Sequence, residues 1–153
     1  MDKYNILIAE DDKEIARSIG IYLKNENFNI FYAYDGLEAL EIFKNEKIDL
    51  IIMDLMMPNL SGEEAIIKLR EISVVPIIIL SAKSEDTDKI FGLNIGADDY
   101  VQKPFNPMEL IARVKSNLRR FYAYDLKNDR NFIEIGSVKL DLSQKIAYVE
   151  DKP

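Results

Sequence analysis

Asp49-Leu50-Ile51-Ile52-Met53-Asp54 is a short apolar run with an acid at each end. It is too short for a helix and has no polar face, the pattern of a strand buried on both sides of a parallel sheet. Three other runs share it. Ile6-Leu7-Ile8 leads into Glu10-Asp11-Asp12, Ile77-Ile78-Ile79-Leu80 into Ser81, and Tyr100-Val101 into Lys103-Pro104. With a run at about 28–33, the strand-like segments fall at about 4–9, 28–33, 49–53, 77–81 and 99–102.

Helix-period segments alternate with these strands. The first, about 13–25, carries Ile15, Ile19 and Leu23 at four-residue spacing, with Asp12 as its N-cap. The second, about 36–46, places Leu37, Leu40 and Phe43 on one stripe. Ser61 begins a third through Ile66, Ile67 and Leu69, with Glu64 placed for a capping box. A fourth, about 86–95, ends at Gly96, and a fifth, about 107–120, opens with Pro107 and carries Leu110, Ile111, Val114 and Leu118. Five β-α units with short connections predict an α/β fold over residues 1–121, a doubly wound five-stranded parallel sheet with right-handed crossovers.

Residues 122–131 break this alternation and read as a linker. Beyond them, Phe132–Ile135, Val138–Leu142 and Lys145–Val149 have the character of short antiparallel strands. Residues 132–153 bury little by themselves and read as the start of a second, truncated domain.

Composition narrows the chemistry. The 153 residues carry a net charge of −7, with 15 Lys/Arg against 21 Asp/Glu in residues 1–120, which argues against nucleic-acid binding by this stretch. Cysteine and histidine are absent. Disulfides, thiol catalysis, Ser-His triads and ordinary zinc sites are thereby excluded. The N-terminus lacks the apolar core of a signal peptide and no run approaches membrane-spanning length, so the expectation is a cytoplasmic protein without a membrane partner.

Ligands of open α/β sheets bind beyond the carboxyl ends of the strands. There this chain would gather three or four carboxylates, the Ser81 hydroxyl and the Lys103 ammonium. Singly, each can equally be read as an ordinary cap, turn or solvated residue. Together they suit a divalent cation and a phosphoryl group. Clustered carboxylates repel unless a cation compensates, and Mg²⁺ takes one or two carboxylates together with phosphate oxygens and waters. Asp54 is the candidate nucleophile for an aspartyl phosphate, Lys103 the partner of a phosphate oxygen, and Ser81 a donor to another. A cis bond at Lys103-Pro104, inexpensive only before proline, would aim the lysine into the crevice.

Residues 1–121 resemble the receiver domain of bacterial two-component response regulators. The resemblance lies in Ile8-Ala9-Glu10-Asp11-Asp12, the segment Ile52 to Gly62 around Asp54, Ile79-Leu80-Ser81-Ala82, and Gly96-Ala97-Asp98-Asp99-Tyr100-Val101-Gln102-Lys103-Pro104-Phe105. It implies a flavodoxin-like fold and a signalling switch, with no external metabolite turned over. By the same resemblance Asp54 is the phosphoacceptor, and Asp11, Asp54 and the Met56 backbone carbonyl bind Mg²⁺ with Glu10 acting through water. Ser81 and Tyr100 are the switch pair, and Lys103 holds the phosphate. The donor would be a phosphohistidine on a sensor histidine kinase.

The tail and one surface are similar to the OmpR/PhoB-like, winged-helix subfamily. Lys89, Asp98, Asp99, Glu109, Arg113 and Arg120 fall where those regulators form intermolecular salt bridges in an active homodimer, which implies pairing of Lys89 with Glu109, Asp99 with Arg113 and Asp98 with Arg120. Residues 132–153 resemble the strands preceding the winged helix, so promoter DNA would be met only through a C-terminal domain missing from this stretch. Met56 and Lys83, two residues past Asp54 and Ser81, are poor at orienting a hydrolytic water, so the expected phosphoform is long-lived. Two other classes compete. A haloacid-dehalogenase-like phosphohydrolase needs a second Asp two residues past the nucleophile, where this chain has Met56. A degenerate receiver used only for contacts would not need Asp11, Asp54, Ser81 and Lys103 together.

Overall fold

The computed structural model describes residues 3–82 and 93–123 with their side chains, and the backbone of three later strands. Its main sheet contains β1 (Asn5–Ala9), β2 (Asn29–Ala33), β3 (Leu50–Met53), β4 (Ile77–Ser81) and β5 (Asp99–Gln102). Four described helices flank it: α1 (Lys13–Asn25), α2 (Gly36–Asn45), α3 (Gly62–Arg70) and α4 (Pro107–Phe121). The expected helix over about 86–95 lies mostly outside the described residues, as do Lys83 and Lys89.

All strands run parallel in the order β2-β1-β3-β4-β5. The chain winds outward from β1 to β2, then crosses to β3 on the other side. This reversal opens a crevice beyond the carboxyl ends of β1 and β3.

Strand side chains alternate between two cores, as their period of two requires. Leu7, Ala9, Ile51, Met53, Ile77, Ile79 and Tyr100 face Ala39 and Leu40 of α2 and Ala65, Ile66 and Leu69 of α3. Ile6, Ile8, Leu50, Ile52, Ile78, Leu80 and Val101 face Ala16, Ile19 and Leu23 of α1 and Leu110, Val114 and Leu118 of α4. Burial on both faces explains the unbroken apolar runs of the central strands.

Local signals fix the helix starts. Asp12 accepts from the amides of Glu14 and Ile15, Ser61 and Glu64 form a complete capping box, and Asn106 caps α4 ahead of Pro107. Gly96 has φ +124°, a conformation that side chains resist. Two details depart from the periodicity. Leu37, expected on the buried stripe of α2, is exposed, because Gly36, Ala39 and Leu40 form the inward face instead. Tyr122, expected to open the linker, is buried: its hydroxyl donates to the Asp49 carbonyl at 2.9 Å and its ring lies 5.3 Å from that of Tyr4.

Strands β6 (Phe132–Ile135), β7 (Val138–Asp141) and β8 (Ile146–Val149) form a separate antiparallel sheet in that order.

Candidate functional site

The four strand ends converge. Glu10 directly follows β1, and its amide donates to Ala33 in β2. Asp54 directly follows β3, its amide bonded to the Ala9 carbonyl at 2.9 Å, which ties the two acid-bearing ends together. Ser81 closes β4 and is fully buried; its carbonyl accepts from the Lys103 amide at 2.8 Å. Lys103 therefore leaves β5 beside Ser81, and its side chain reaches across to the β1 and β3 ends. Its Nζ lies 2.7 Å from Glu10 Oε1 and 3.4 Å from Asp54 Oδ2. The Lys103-Pro104 bond is cis.

Glu10 and Asp54 are buried and Asp11 is exposed, so the cluster has a dry floor and an open mouth. One oxygen from each of Glu10, Asp11 and Asp54 lies within 4.8 Å of the others. Glu10 Oε2 accepts from the Asp12 amide, whereas buried Oε1 faces the Lys103 ammonium. Asp54 Oδ1 accepts from the Met56 amide at 3.3 Å. A hard cation fits this set. It is rich in anionic oxygen, and one lysine faces three carboxylates.

The charges are tuned against one another. Burial pushes the Glu10 carboxyl up to about 7, with Asp54 adding to the rise and Lys103 and the Asp12 amide opposing it. For Lys103, burial acts to lower the pKa, but the Glu10 and Asp54 carboxylates outweigh it and the ammonium is raised. The lysine thus stays cationic beside Asp54.

Tyr100 is buried on the α2–α3 side of β5. Of the residues expected at a dimer surface, the five that are described, Asp98, Asp99, Glu109, Arg113 and Arg120, are engaged within the chain. Arg113 pairs with Asp99 at 2.6 Å and with Glu109 at 3.1 Å, Arg120 donates to Asn117, and Asp98 pairs with Arg70 at 3.0 Å. Sequence reasoning did not single out Arg70, whose Nε also donates to the Gly96 carbonyl at 2.8 Å. It also missed Gly62, where a Cβ would lie 2.1 Å from the Asp54 carbonyl oxygen, and the bond from Asn59 to Asp35. Only the turn character of Pro58-Asn59 and Asp35-Gly36 hinted at the last.

Residues 6–115 match the response regulator receiver domain family. The chain is 43% identical to the regulatory protein VanR of Enterococcus faecium over 149 residues, spanning 96% of this chain and 64% of that protein. It is 45% identical over 120 residues to the regulatory protein VanRc of Enterococcus gallinarum, covering 78% of this chain and 52% of that one. The chain thus spans between half and two thirds of the length of these relatives. Among solved structures, the Francisella response regulator 1452 receiver domain superposes with a TM-score of 0.74 at 40% identity, covering 77% of this chain and 98% of that one. A Clostridium difficile two-component response regulator gives 0.75 at 32%, again covering 77% and 98%.

Proposed function

The chain belongs to the response regulator receiver domain family of two-component systems, and from that premise we propose that it is a phosphorylation switch in which Asp54 accepts a phosphoryl group from a sensor histidine kinase. The supporting observation is the convergence of Glu10, Asp11 and Asp54 with the Lys103 ammonium at the strand ends.

In the proposed reaction a carboxylate oxygen of Asp54 forms a bond to phosphorus as the bond from phosphorus to the donor breaks, and the donor leaves with its electron pair. Bound Mg²⁺, held by Asp11, Asp54 and the Met56 carbonyl with Glu10 behind a water, would neutralise charge on the phosphoryl oxygens. Lys103 lies against Asp54 Oδ2 and supplies a fixed positive charge where the phosphate arrives. Ser81 would donate to a phosphoryl oxygen, and Tyr100, already buried against the α2–α3 core, would be held inward by that shift, a local charge change biasing a two-state element. The family is one of signalling switches, and phosphotransfer here is chemistry on the chain itself.

At full length the switch would control transcription from the cytoplasm. Phosphorylation would drive homodimerisation through Asp98, Asp99, Glu109, Arg113 and Arg120, together with Lys89. Residues 132–153 would open a winged-helix domain that meets promoter DNA. No described helix is long and apolar enough to cross a membrane.

The test is intact mass after incubation with Mg²⁺ and acetyl phosphate. One phosphoryl group should add to the chain, dependent on the metal, and none to Asp54→Asn. Equal labelling of both proteins would place the chemistry elsewhere.

A further inference from the structure

We propose that Asp35 and Asn59 form a staple that presets the loop after Asp54 for cation binding, which makes Asn59 a positioning residue of the phosphorylation site. This inference deepens the proposed function and rests on it.

The loop from Leu55 to Ser61 carries Met56, whose amide already holds Asp54 Oδ1 and whose carbonyl is the proposed cation ligand. A backbone ligand is only as well placed as the loop that bears it, because it has no rotamers with which to adjust. The near end of this loop is fixed by Gly62, whose amide donates to the Leu55 carbonyl at 2.9 Å. Its far end is fixed to a different element. The Leu60 carbonyl accepts from Gly36, the first residue of α2, at 3.0 Å, and a Cβ on Gly36 would lie 2.2 Å from that oxygen.

Between these anchors the chain tightens. The Leu60 amide reaches the Pro58 carbonyl at 2.7 Å, and Asn59 takes φ +67°, a left-handed conformation that side-chain-bearing residues avoid and Asn tolerates best. What holds it there is the 2.7 Å bond from Asn59 Nδ2 to Asp35 Oδ2. The other oxygen of Asp35 accepts from the Glu38 amide at 2.8 Å and caps α2. The two bonds, the Glu38 amide's first, hold Asp35 below the usual carboxylate range, so the acceptor stays ionised and the bond charge-assisted. One carboxylate thereby ties the start of α2 to the loop that shapes the site, although neither Asp35 nor Asn59 belongs to the cluster of acids.

A residue that merely tolerates a left-handed turn would behave differently from a staple, and three variants separate the two roles. Asn59→Gly accepts the backbone conformation and deletes the bond. N59D also accepts the conformation but sets a carboxylate against Asp35. The exchange D35N/N59D restores a donor–acceptor pair with its direction reversed and leaves an amide oxygen to cap α2. Two readouts apply to the full chain: Mg²⁺ affinity by calorimetry, and hydrogen exchange of the Gly36 amide in metal-free protein. We expect Asn59→Gly and N59D each to weaken Mg²⁺ binding about tenfold, the scale of groups that orient a metal ligand, and to speed Gly36 exchange. The double exchange should restore both. If Mg²⁺ affinity in N59D and Asn59→Gly equals that of the unaltered chain, or the double exchange restores nothing, the proposal is overturned by itself. If the unaltered chain binds no Mg²⁺, the proposal falls together with the function beneath it.

Discussion

Glu10 is the residue whose chemistry is most displaced by its surroundings. It is an acid on the floor of the site, with a pKa raised from 4.5 to about 7, first by burial and also by Asp54. In the metal-free fold it therefore binds a proton more tightly than in the unfolded chain. The stability this lends is fully present below about pH 4.5 and is lost as the pH rises through about 7. A cation reverses the preference, because it needs the deprotonated form. Two outcomes follow for thermal unfolding. Without metal, the contribution of Glu10 makes the midpoint fall between pH 5 and 8. The rise in midpoint on adding Mg²⁺ grows over the same interval, and Glu10→Gln flattens both trends. A rise in midpoint equal at pH 5.5 and 8 would show that a proton on Glu10 does not compete with the metal.

At the scale of elements, the site depends on how β3 passes into α3. Gly62 lets the first turn of that helix lie against the Asp54 carbonyl, and a Cβ there would sit 2.1 Å from backbone oxygen. Gly62→Ala should thus cost about 1–3 kcal/mol by overpacking and slow labelling of Asp54 by acetyl phosphate; an unchanged unfolding midpoint and rate would refute this. Such close approaches were not legible in the sequence, because they depend on where separate loops meet. What was legible were signals that act locally or repeat. Apolar runs ending in Glu10, Asp54 and Ser81 gave the strands and their polar ends, while Asp12 and Ser61 gave helix starts through caps that need only three or four neighbours. Leu37 misled because α2 meets the core through Gly36 and Ala39, small residues that a count of large apolar side chains overlooks. Tyr122 misled because its partners, Tyr4 and the Asp49 carbonyl, are remote in sequence.

For the whole molecule, the proposed output is association. Asp99, Arg113 and Glu109 already pair within one chain, so a dimer would exchange these contacts rather than create charge pairs from free groups. Partly exposed pairs contribute about 0.2–1 kcal/mol each, which sets register and makes association sensitive to salt. Sedimentation of the phosphorylated chain should show dimers that weaken with added salt and are weakened again in Asp99→Ala, with phosphorylation stoichiometry unchanged. Dimers persisting undiminished in that variant would move the interface to another face. All of this rests on a phosphoryl group carried by Asp54. Phosphorylated protein reduced with borohydride and mapped by peptide mass tests that most directly, since an acyl phosphate is reduced to the alcohol at the residue that bears it. The mass change is predicted at Asp54 alone and only when Mg²⁺ is present. A change at Glu10, Asp11 or any other acid, with Asp54 intact, would contradict the account.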